Sequence, residues 1–213
     1  MVARTVNTKG SFQGEVGVMS ETVRHETEDG QATSGEATSG KAQEMVKVWD
    51  PLVRIFHWSL VGGILAAWIT ADAWDKAHEW IGYVIGGLIA VRIIWGFIGT
   101  RHARFSDFVR GPRTVLRYMR QILAGHAPRH LGHNPAGGAM VIALMLTVTA
   151  IVTTGWMMTL DAFWGVDWVE DLHELLFDGL LVLVGLHVAG VIHASITHRE
   201  NLVRAMIHGR KRP

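Results

Sequence analysis

The sequence predicts an all-α integral membrane protein, a bundle of four spanning helices with both termini in the cytoplasm. Average hydropathy is positive, and only 18% of the residues are charged, whereas a soluble domain usually carries about a quarter. Four apolar stretches, at about 55–71, 78–99, 136–160 and 175–196, are long enough to cross a bilayer, which takes about 20 residues. These observations predict a multi-pass membrane protein.

The individual stretches differ in length and polarity. The first is short, and we expect flanking residues such as Arg54 and Trp74 to complete its span. The third has no ionisable residue, so we expect it to supply packing rather than ligands. Between the second and third, residues 112–125 alternate apolar side chains with arginines at helical spacing. That pattern predicts a short amphipathic helix, either on the anionic membrane surface or at a docking surface.

An uneven distribution of charge predicts the orientation. The connection between the second and third stretches and the C-terminal tail are basic, whereas the other two connections are acidic. The basic residues are Arg101, Arg104, Arg110, Arg113, Arg117, Arg120 and Arg129, then Arg199, Arg204, Arg210, Lys211 and Arg212; the acidic ones are Asp72, Asp75, Glu79, Asp161, Asp167, Glu170 and Asp171. The positive-inside rule therefore places both termini and the long basic connection in the cytoplasm.

Residues 1–44 form a polar tail with seven acids and four bases. The tail is rich in Gly, Ser, Thr and Glu and has almost no large apolar residues, so it cannot bury enough surface to fold alone. We therefore divide the chain into a disordered N-terminal extension at 1–44 and a membrane domain at 45–213. A translation start at Met45 is an equally good interpretation of this tail, to which no chemistry is assigned.

Four histidines lie where a bundle of membrane helices holds two haems, one above the other: His57, His78, His173 and His187. The last two are fourteen residues apart on the fourth stretch. On an α-helix this spacing keeps both side chains on one face to within about 40° and separates them by about 21 Å along the axis. Cysteine is absent, which excludes thiolate-ligated iron–sulfur clusters and covalent haem attachment.

Depth in the membrane predicts how the four histidines pair. His57 and His187 lie towards the cytoplasmic side, and His78 and His173 towards the periplasmic side. Each pair would supply both axial ligands of one haem iron, with the other ring nitrogen of each histidine left to hydrogen-bond. The alternative for His78 and His173 is that they are interfacial histidines beside Glu79 and Glu174.

Other histidines are weaker candidates. His133 leads into the third stretch and is the one credible rival to His57 as a ligand. His126, His130 and His133 have metal-like spacing, but Pro128 breaks any helix that would align them. His193 is turned away from the His187 face, and His198 is either a proton or quinone contact or a solvated side chain.

Arg92 is a costly residue inside the second span, fourteen residues after His78 and on the same face. We expect Arg92 and Arg54 to pair with the propionates of the haem held by His57 and His187; the alternative for Arg92 is snorkelling to the headgroups. Gly82 and Gly86 continue the His78 face, where they either admit a flat macrocycle or serve ordinary helix contact.

Several strings resemble the prokaryotic cytochrome b561 and nickel–iron hydrogenase b-type cytochrome family over about residues 46–212. They are VWDPLVRIFHW at 48–58, HEWIG at 78–82, RIIWGFIG at 92–99, RHARF at 101–105, LHVAG at 186–190, RENLVRAM at 199–206 and GRKR at 209–212. The resemblance implies a four-helix membrane cytochrome with two b haems, with ligand positions at His57, His78, His173 and His187. It also implies electron exchange between membrane quinone and a redox partner.

We therefore predict transmembrane electron transfer by two haems b, between quinone and a hydrogenase, a reductase or a cytochrome c. Whether the protein is itself an enzyme stays open. One alternative is a self-contained superoxide:quinone or ferric reductase, and another is a non-redox transporter. We expect membrane lipid, quinone and a redox protein as partners and no nucleic acid, and we leave open a homo-oligomer.

Overall fold

The computed structural model describes residues 46–128, 130 and 132–211, all within one compact unit of the chain. The extension predicted at 1–44 lies outside the described residues. The elements, in chain order, are β1 Val46–Lys47, α1 Pro51–Thr70, α2 Asp75–Ile98, a 3-10 turn Arg101–Ala103, α3 Phe105–Phe108, α4 Pro112–Leu123, α5 Pro135–Met158, α6 Asp167–Thr197, α7 Leu202–His208 and β2 Arg210–Lys211. The predicted all-α class is confirmed, with one two-residue strand pair added.

The four long helices α1, α2, α5 and α6 correspond to the four apolar stretches, and each is long and apolar enough to cross a membrane. Helix α1 begins at Pro51, because the Asp50 carboxylate accepts a hydrogen bond from the Val53 backbone N–H at 2.8 Å and caps the helix. Helix α1 therefore contains Arg54 but ends at Thr70, so the expectation that Trp74 completes this span was wrong.

Helix α6 begins at Asp167, eight residues before the apolar stretch. Asp167 and Glu170 lie in its first turn, where negative charge is favoured by the helix dipole. His173 consequently lies well inside the helix rather than at its start. This longer helix fixes the orientation of His173 relative to His187.

The long helices pack in sequence, α1 on α2, α2 on α5 and α5 on α6. A buried cluster joins three of them: Ile85 and Ile89 on α2, Val148 on α5 and Leu180 on α6. Large apolar side chains on the opposite faces, such as Ile69, Phe97 and Ile196, are exposed, as suits helices that contact lipid.

The bundle has two ends of opposite charge. The basic end carries the connection 99–134 and the C-terminal segment, and the acidic end carries the connections 71–74 and 159–166. At the basic end α4 packs on α5, with Tyr118 buried and Leu116 and Leu123 exposed. The amphipathic helix predicted there is confirmed, ending at Leu123 rather than Gly125.

Short-range packing at the basic end depends on two glycines. Phe105 and Phe108 of α3 fold back against the bundle, and Phe108 is only 2% exposed. A Cβ on Gly96 would lie 2.1 Å from the Phe105 ring, and a Cβ on Gly138 would lie 2.5 Å from the Phe108 carbonyl oxygen. Side chains at either position would displace α3 from the bundle.

The two strands close the same end. Val46 pairs with Lys211 and Lys47 with Arg210, antiparallel. Gly209 has a left-handed conformation with φ of 78°, and its carbonyl accepts hydrogen bonds from the Val48 and Trp49 amides at 2.9 and 3.1 Å. The strand pair therefore fixes Trp49 and Asp50 at the start of α1.

Gly138→Ala is expected to destabilise the protein, because the new methyl group meets backbone that cannot move cheaply. Overpacking of this kind costs about 1–3 kcal/mol, which lowers the melting temperature by about 2–12 °C for a chain of this size. Circular dichroism melting of the detergent-solubilised protein measures the change. Gly87→Ala is the matched control, because nothing lies within 4 Å of its Cβ position. Equal melting temperatures for the two variants would contradict this role of Gly138.

Candidate functional site

Two pairs of histidines face each other across the bundle. His57 on α1 lies opposite His187 on α6, with ring centroids 6.4 Å apart and ring planes inclined at 50°. His78 on α2 lies opposite His173 on α6, with centroids 6.2 Å apart and planes at 71°. The structure thus brings together the partners that the depth argument predicts, the first pair towards the basic end and the second towards the acidic end.

The separation of the rings fits one metal ion between the members of each pair. A metal ion bound between two imidazoles, with metal–nitrogen bonds of about 2.0 Å and about 1.1 Å from nitrogen to ring centre, would separate their centroids by about 6.2 Å. Both observed separations lie close to that value. At this distance the two rings of a pair are too far apart to hydrogen-bond to each other.

Hydrogen bonds orient the pair near the acidic end. His78 Nδ1–H donates to the Ala67 carbonyl at 2.9 Å. The Thr154 hydroxyl donates to the carbonyls of Ala150 and Ile151, so it accepts from His173 Nδ1–H, at 2.9 Å. Both imidazoles therefore leave Nε2 as the unprotonated nitrogen, which is the usual arrangement of a metal-binding histidine.

A neighbouring glycine makes space for one of these rings. A Cβ on Gly155 of α5 would lie 3.2 Å from His173 Cε1, closer than an ordinary contact. Neither Thr154 nor Gly155 was identified from sequence, because both contact His173 from another helix, and no local pattern marks such a partner.

The pair near the basic end differs in its hydrogen bonding. His57 Nδ1 is buried and has no hydrogen-bond partner, although its ring packs edge-on against Trp58 at 5.1 Å. A buried polar nitrogen in a membrane helix is costly without a partner. A buried nitrogen without a partner in the protein is expected in a residue that binds a ligand.

Side-chain contacts, rather than closely packed backbones, connect α1 to α6. Helices α1 and α6 are not among the closely packed pairs of the bundle, although the two histidine pairs and the Trp68–Phe177 contact face across this side. Nothing lies within 4 Å of the Cβ position of Gly82, whereas that of Gly86 lies 3.0 Å from Val152. Gly86 therefore serves helix contact, whereas Gly82 makes no close contact of this kind.

Arg92 and Arg54 both lie at the basic end. Arg92 is only 3% exposed, with its guanidinium carbon 5.2 Å from the centre of the Phe105 ring. Its Nη1 has no hydrogen-bond partner, and neither has Nε of the half-buried Arg54. Arg92 is therefore buried in the protein, rather than snorkelling towards the membrane surface.

Asp50 gives the basic end a half-buried negative charge. Burial alone would raise the pKa of the Asp50 carboxyl, but hydrogen bonds from Thr100, the Val53 amide and Trp95, with the nearby Arg92 charge, hold the pKa below its ordinary value of 3.8. The Trp95 indole donates at 3.1 Å. Asp50 thus connects the start of α1 to the end of α2.

The other described histidines lie outside the two pairs. Within residues 46–128, 130 and 132–211, no group of three or more His, Asp or Glu side chains is arranged to hold a metal ion. His130 contacts Tyr118 at 5.5 Å, and His133 lies between Trp49 and Phe108. His193 is exposed and His198 is half-buried. His57, rather than His133, the other ligand candidate, lies opposite His187.

Comparison with known proteins identifies the family. Residues 48–209 match the sequence profile of the family described as prokaryotic cytochrome b561. Three relatives are each named "Probable Ni/Fe-hydrogenase B-type cytochrome subunit". The protein of Rhodobacter capsulatus is 23% identical over 85% of this chain and 87% of its own. That of Bradyrhizobium diazoefficiens is 26% identical over 78% and 85%, and that of Azotobacter vinelandii is 24% identical over 86% and 93%. No solved structure matches the chain.

Asp50→Asn is expected to reduce the loss of stability in acid. Because the pKa of Asp50 is lower in the folded state, its stabilising contribution is complete above the ordinary value and is lost as pH falls through the lower one. Asn keeps the helix cap through its amide oxygen, and it removes the charge together with the acceptor for Trp95 and Thr100. Melting temperatures are measured between pH 6 and 3, a range that includes the ordinary pKa of an aspartate. They should fall less steeply with decreasing pH in the variant than in the wild type. Asp72→Asn, at an exposed turn position, is the control, and identical slopes in all three proteins would contradict the assignment.

Proposed function

Because the chain belongs to the prokaryotic cytochrome b561 family of haem b membrane cytochromes, we propose that it transfers electrons across the bilayer through two haems b. One haem is held by His57 and His187, and the other by His78 and His173. The observation that carries this proposal is the separation of the rings in the two pairs, 6.4 and 6.2 Å. Two independent pairs, on three helices, share the spacing that one iron requires.

The polypeptide sets the conditions under which the haems would work. Haem b supplies reversible one-electron chemistry when it is bound. The Ala67 carbonyl and the Thr154 hydroxyl orient His78 and His173, which makes these imidazoles stronger ligands. Ile85, Ile89, Val148 and Leu180 fill the bundle interior and exclude water from the region along α6 between the ligand positions.

Spacing along α6 suits transfer across a membrane. His173 and His187 are fourteen residues apart, or about 21 Å along a helix axis, and the hydrocarbon core of a bilayer is about 30 Å thick. Two cofactors held at these positions divide the crossing into short steps. A single cofactor at either position would leave most of the membrane uncrossed.

At the basic end, Arg92 and Arg54 are proposed to bind the propionates of the haem between His57 and His187. Both side chains have a buried nitrogen without a partner, and guanidinium groups bind carboxylates through paired hydrogen bonds. By the positive-inside rule this end faces the cytoplasm of a bacterial cell, with both termini of the 45–213 domain on that side of the inner membrane.

The acidic end would then meet a redox protein outside the cytoplasm. Trp74, Trp164 and Trp168 are exposed there, beside the acidic residues of both connections. The relatives are named as hydrogenase subunits, which favours a hydrogenase over a reductase or cytochrome c as partner. Membrane quinone is the proposed second reactant. The acidic surface at this end repels the superoxide anion, so a self-contained superoxide:quinone reductase is the weaker proposal.

Alanine substitutions of the four histidines are expected to act in pairs. His57→Ala and His187→Ala should each remove the same haem, and His78→Ala and His173→Ala should each remove the other, because one lost ligand leaves the iron without its second imidazole. His193→Ala, at an exposed position on α6, should retain both haems. Haem content and reduced-minus-oxidised spectra of the purified variants measure this.

The pairing proposal has a clear contrary result. If His57→Ala and His187→Ala changed different spectral components, the two residues would not share an iron. If all four variants and the wild type were folded and colourless, electron transfer itself would be wrong, and a non-redox transporter would be favoured.

A further inference from the structure

The described part of the chain contains four buried side-chain nitrogens without a hydrogen-bond partner: Arg54 Nε, His57 Nδ1, Arg92 Nη1 and His133 Nδ1. All four belong to the basic end. The ligand histidines near the acidic end have their Nδ1 atoms paired, with Ala67 and Thr154. A buried polar nitrogen left without a partner is costly, so the concentration of such nitrogens at one end indicates that a polar group binds there.

His133 is held rigidly at this end. Its ring packs edge-on against Trp49 with centroids 4.6 Å apart, and against Phe108 at 4.8 Å. The next residue, Asn134, caps α5 by accepting a hydrogen bond from the Gly137 amide at 2.7 Å. Burial lowers the pKa of His133 to about 3, with smaller contributions from the charges of Arg92 and Lys211. His133 is therefore neutral at physiological pH and carries one N–H donor.

His133 and Arg92 pack against one aromatic wall, which consists of the Phe105 and Phe108 rings. The Arg92 guanidinium carbon lies 5.2 Å from the Phe105 ring centre, the Phe105 and Phe108 rings are 5.8 Å apart, and Phe108 contacts His133. His133 is thus connected to Arg92 through the Phe105 and Phe108 rings, and it is not a member of either histidine pair.

Carboxylates of the protein near this wall are already engaged. Asp50 accepts hydrogen bonds from Trp95, Thr100 and the Val53 amide. Asp107 interacts with His102 at 3.2 Å and with Arg101 at 3.8 Å. A carboxylate acceptor for Arg92 Nη1, and for His133 with its proton on Nδ1, would therefore come from a bound group, and a cationic donor beside a neutral donor suits a carboxylate.

We propose that His133 is a positioning residue which, together with Arg92, donates a hydrogen bond to a carboxylate of the group bound between His57 and His187. The inference rests on the proposed function, under which this carboxylate is a propionate of the haem at the basic end. His133 then acts on the iron only through the propionate, by holding its negative charge in place.

His133→Phe tests the assignment, because phenylalanine keeps the ring between Trp49 and Phe108 but removes the donor. Loss of a donor leaves the propionate charge less neutralised, which favours ferric over ferrous iron. We expect the ratio of reduced to oxidised haem at a fixed potential to fall about three- to tenfold, which for one electron is a midpoint about 28–59 mV lower. Spectroelectrochemical titration of the purified holoprotein should show this shift in one haem component and none in the other.

Two further variants make the result specific. His133→Gln retains an N–H donor and should recover at least half of the shift. His126→Phe carries the same substitution at an exposed connection position and should give wild-type potentials for both haems. Haem content is measured first in every protein, so that a wild type without haem counts against the proposed function itself.

Several results would overturn the role of His133 while leaving the electron-transfer proposal intact. Unchanged potentials in His133→Phe would mean that water, rather than a carboxylate, satisfies this donor. An equal shift in His133→Gln and His133→Phe would assign the effect to ring packing instead of the hydrogen bond. Loss of the low-spin spectrum of one haem in His133→Phe would make His133 an axial ligand.

Discussion

The cost of placing imidazole groups inside a bilayer is the constraint on which this structure depends. Four histidines lie on or in spanning helices, and each needs a partner to offset the loss of water. The four rings face each other in two pairs, at 6.4 and 6.2 Å, a spacing that fits a metal ion bound between the two rings of each pair. Helix α6 contributes one member of each pair, so the spacing of His173 and His187 along this helix determines where both pairs lie.

The two ends of the bundle solve the same problem differently. Near the acidic end, backbone and hydroxyl oxygens complete the hydrogen bonding of His78 and His173. At the basic end no such oxygens pair with the buried nitrogens of Arg54, His57, Arg92 and His133. Gly96 and Gly138 allow the Phe105–Phe108 segment to pack closely against the bundle at this end. One end is thus complete as a protein site, and the other is complementary to an anionic group, which agrees with its excess of positive charge.

Much of this arrangement was predictable from the sequence, and the exceptions have physical causes. Hydropathy located the four spans, the fourteen-residue spacing placed His173 and His187 on one face of the last helix, and depth in the membrane predicted the pairing. Helix starts at Pro51 and Asp167 were missed because capping and dipole effects, not apolarity, place them. Thr154 and Gly155 were missed because their contacts with His173 come from another helix. Gly82 and Gly86 look equivalent in sequence and differ only through Val152 on α5.

The central claim is that each histidine pair encloses one haem iron. Quantifying haem per chain by the pyridine haemochrome method, together with electron paramagnetic resonance of the oxidised wild-type protein, tests it most directly. The account predicts two haems b per chain, both low-spin and ligated by two imidazoles. Folded protein with no haem, or with high-spin iron that lacks a second imidazole, would contradict it.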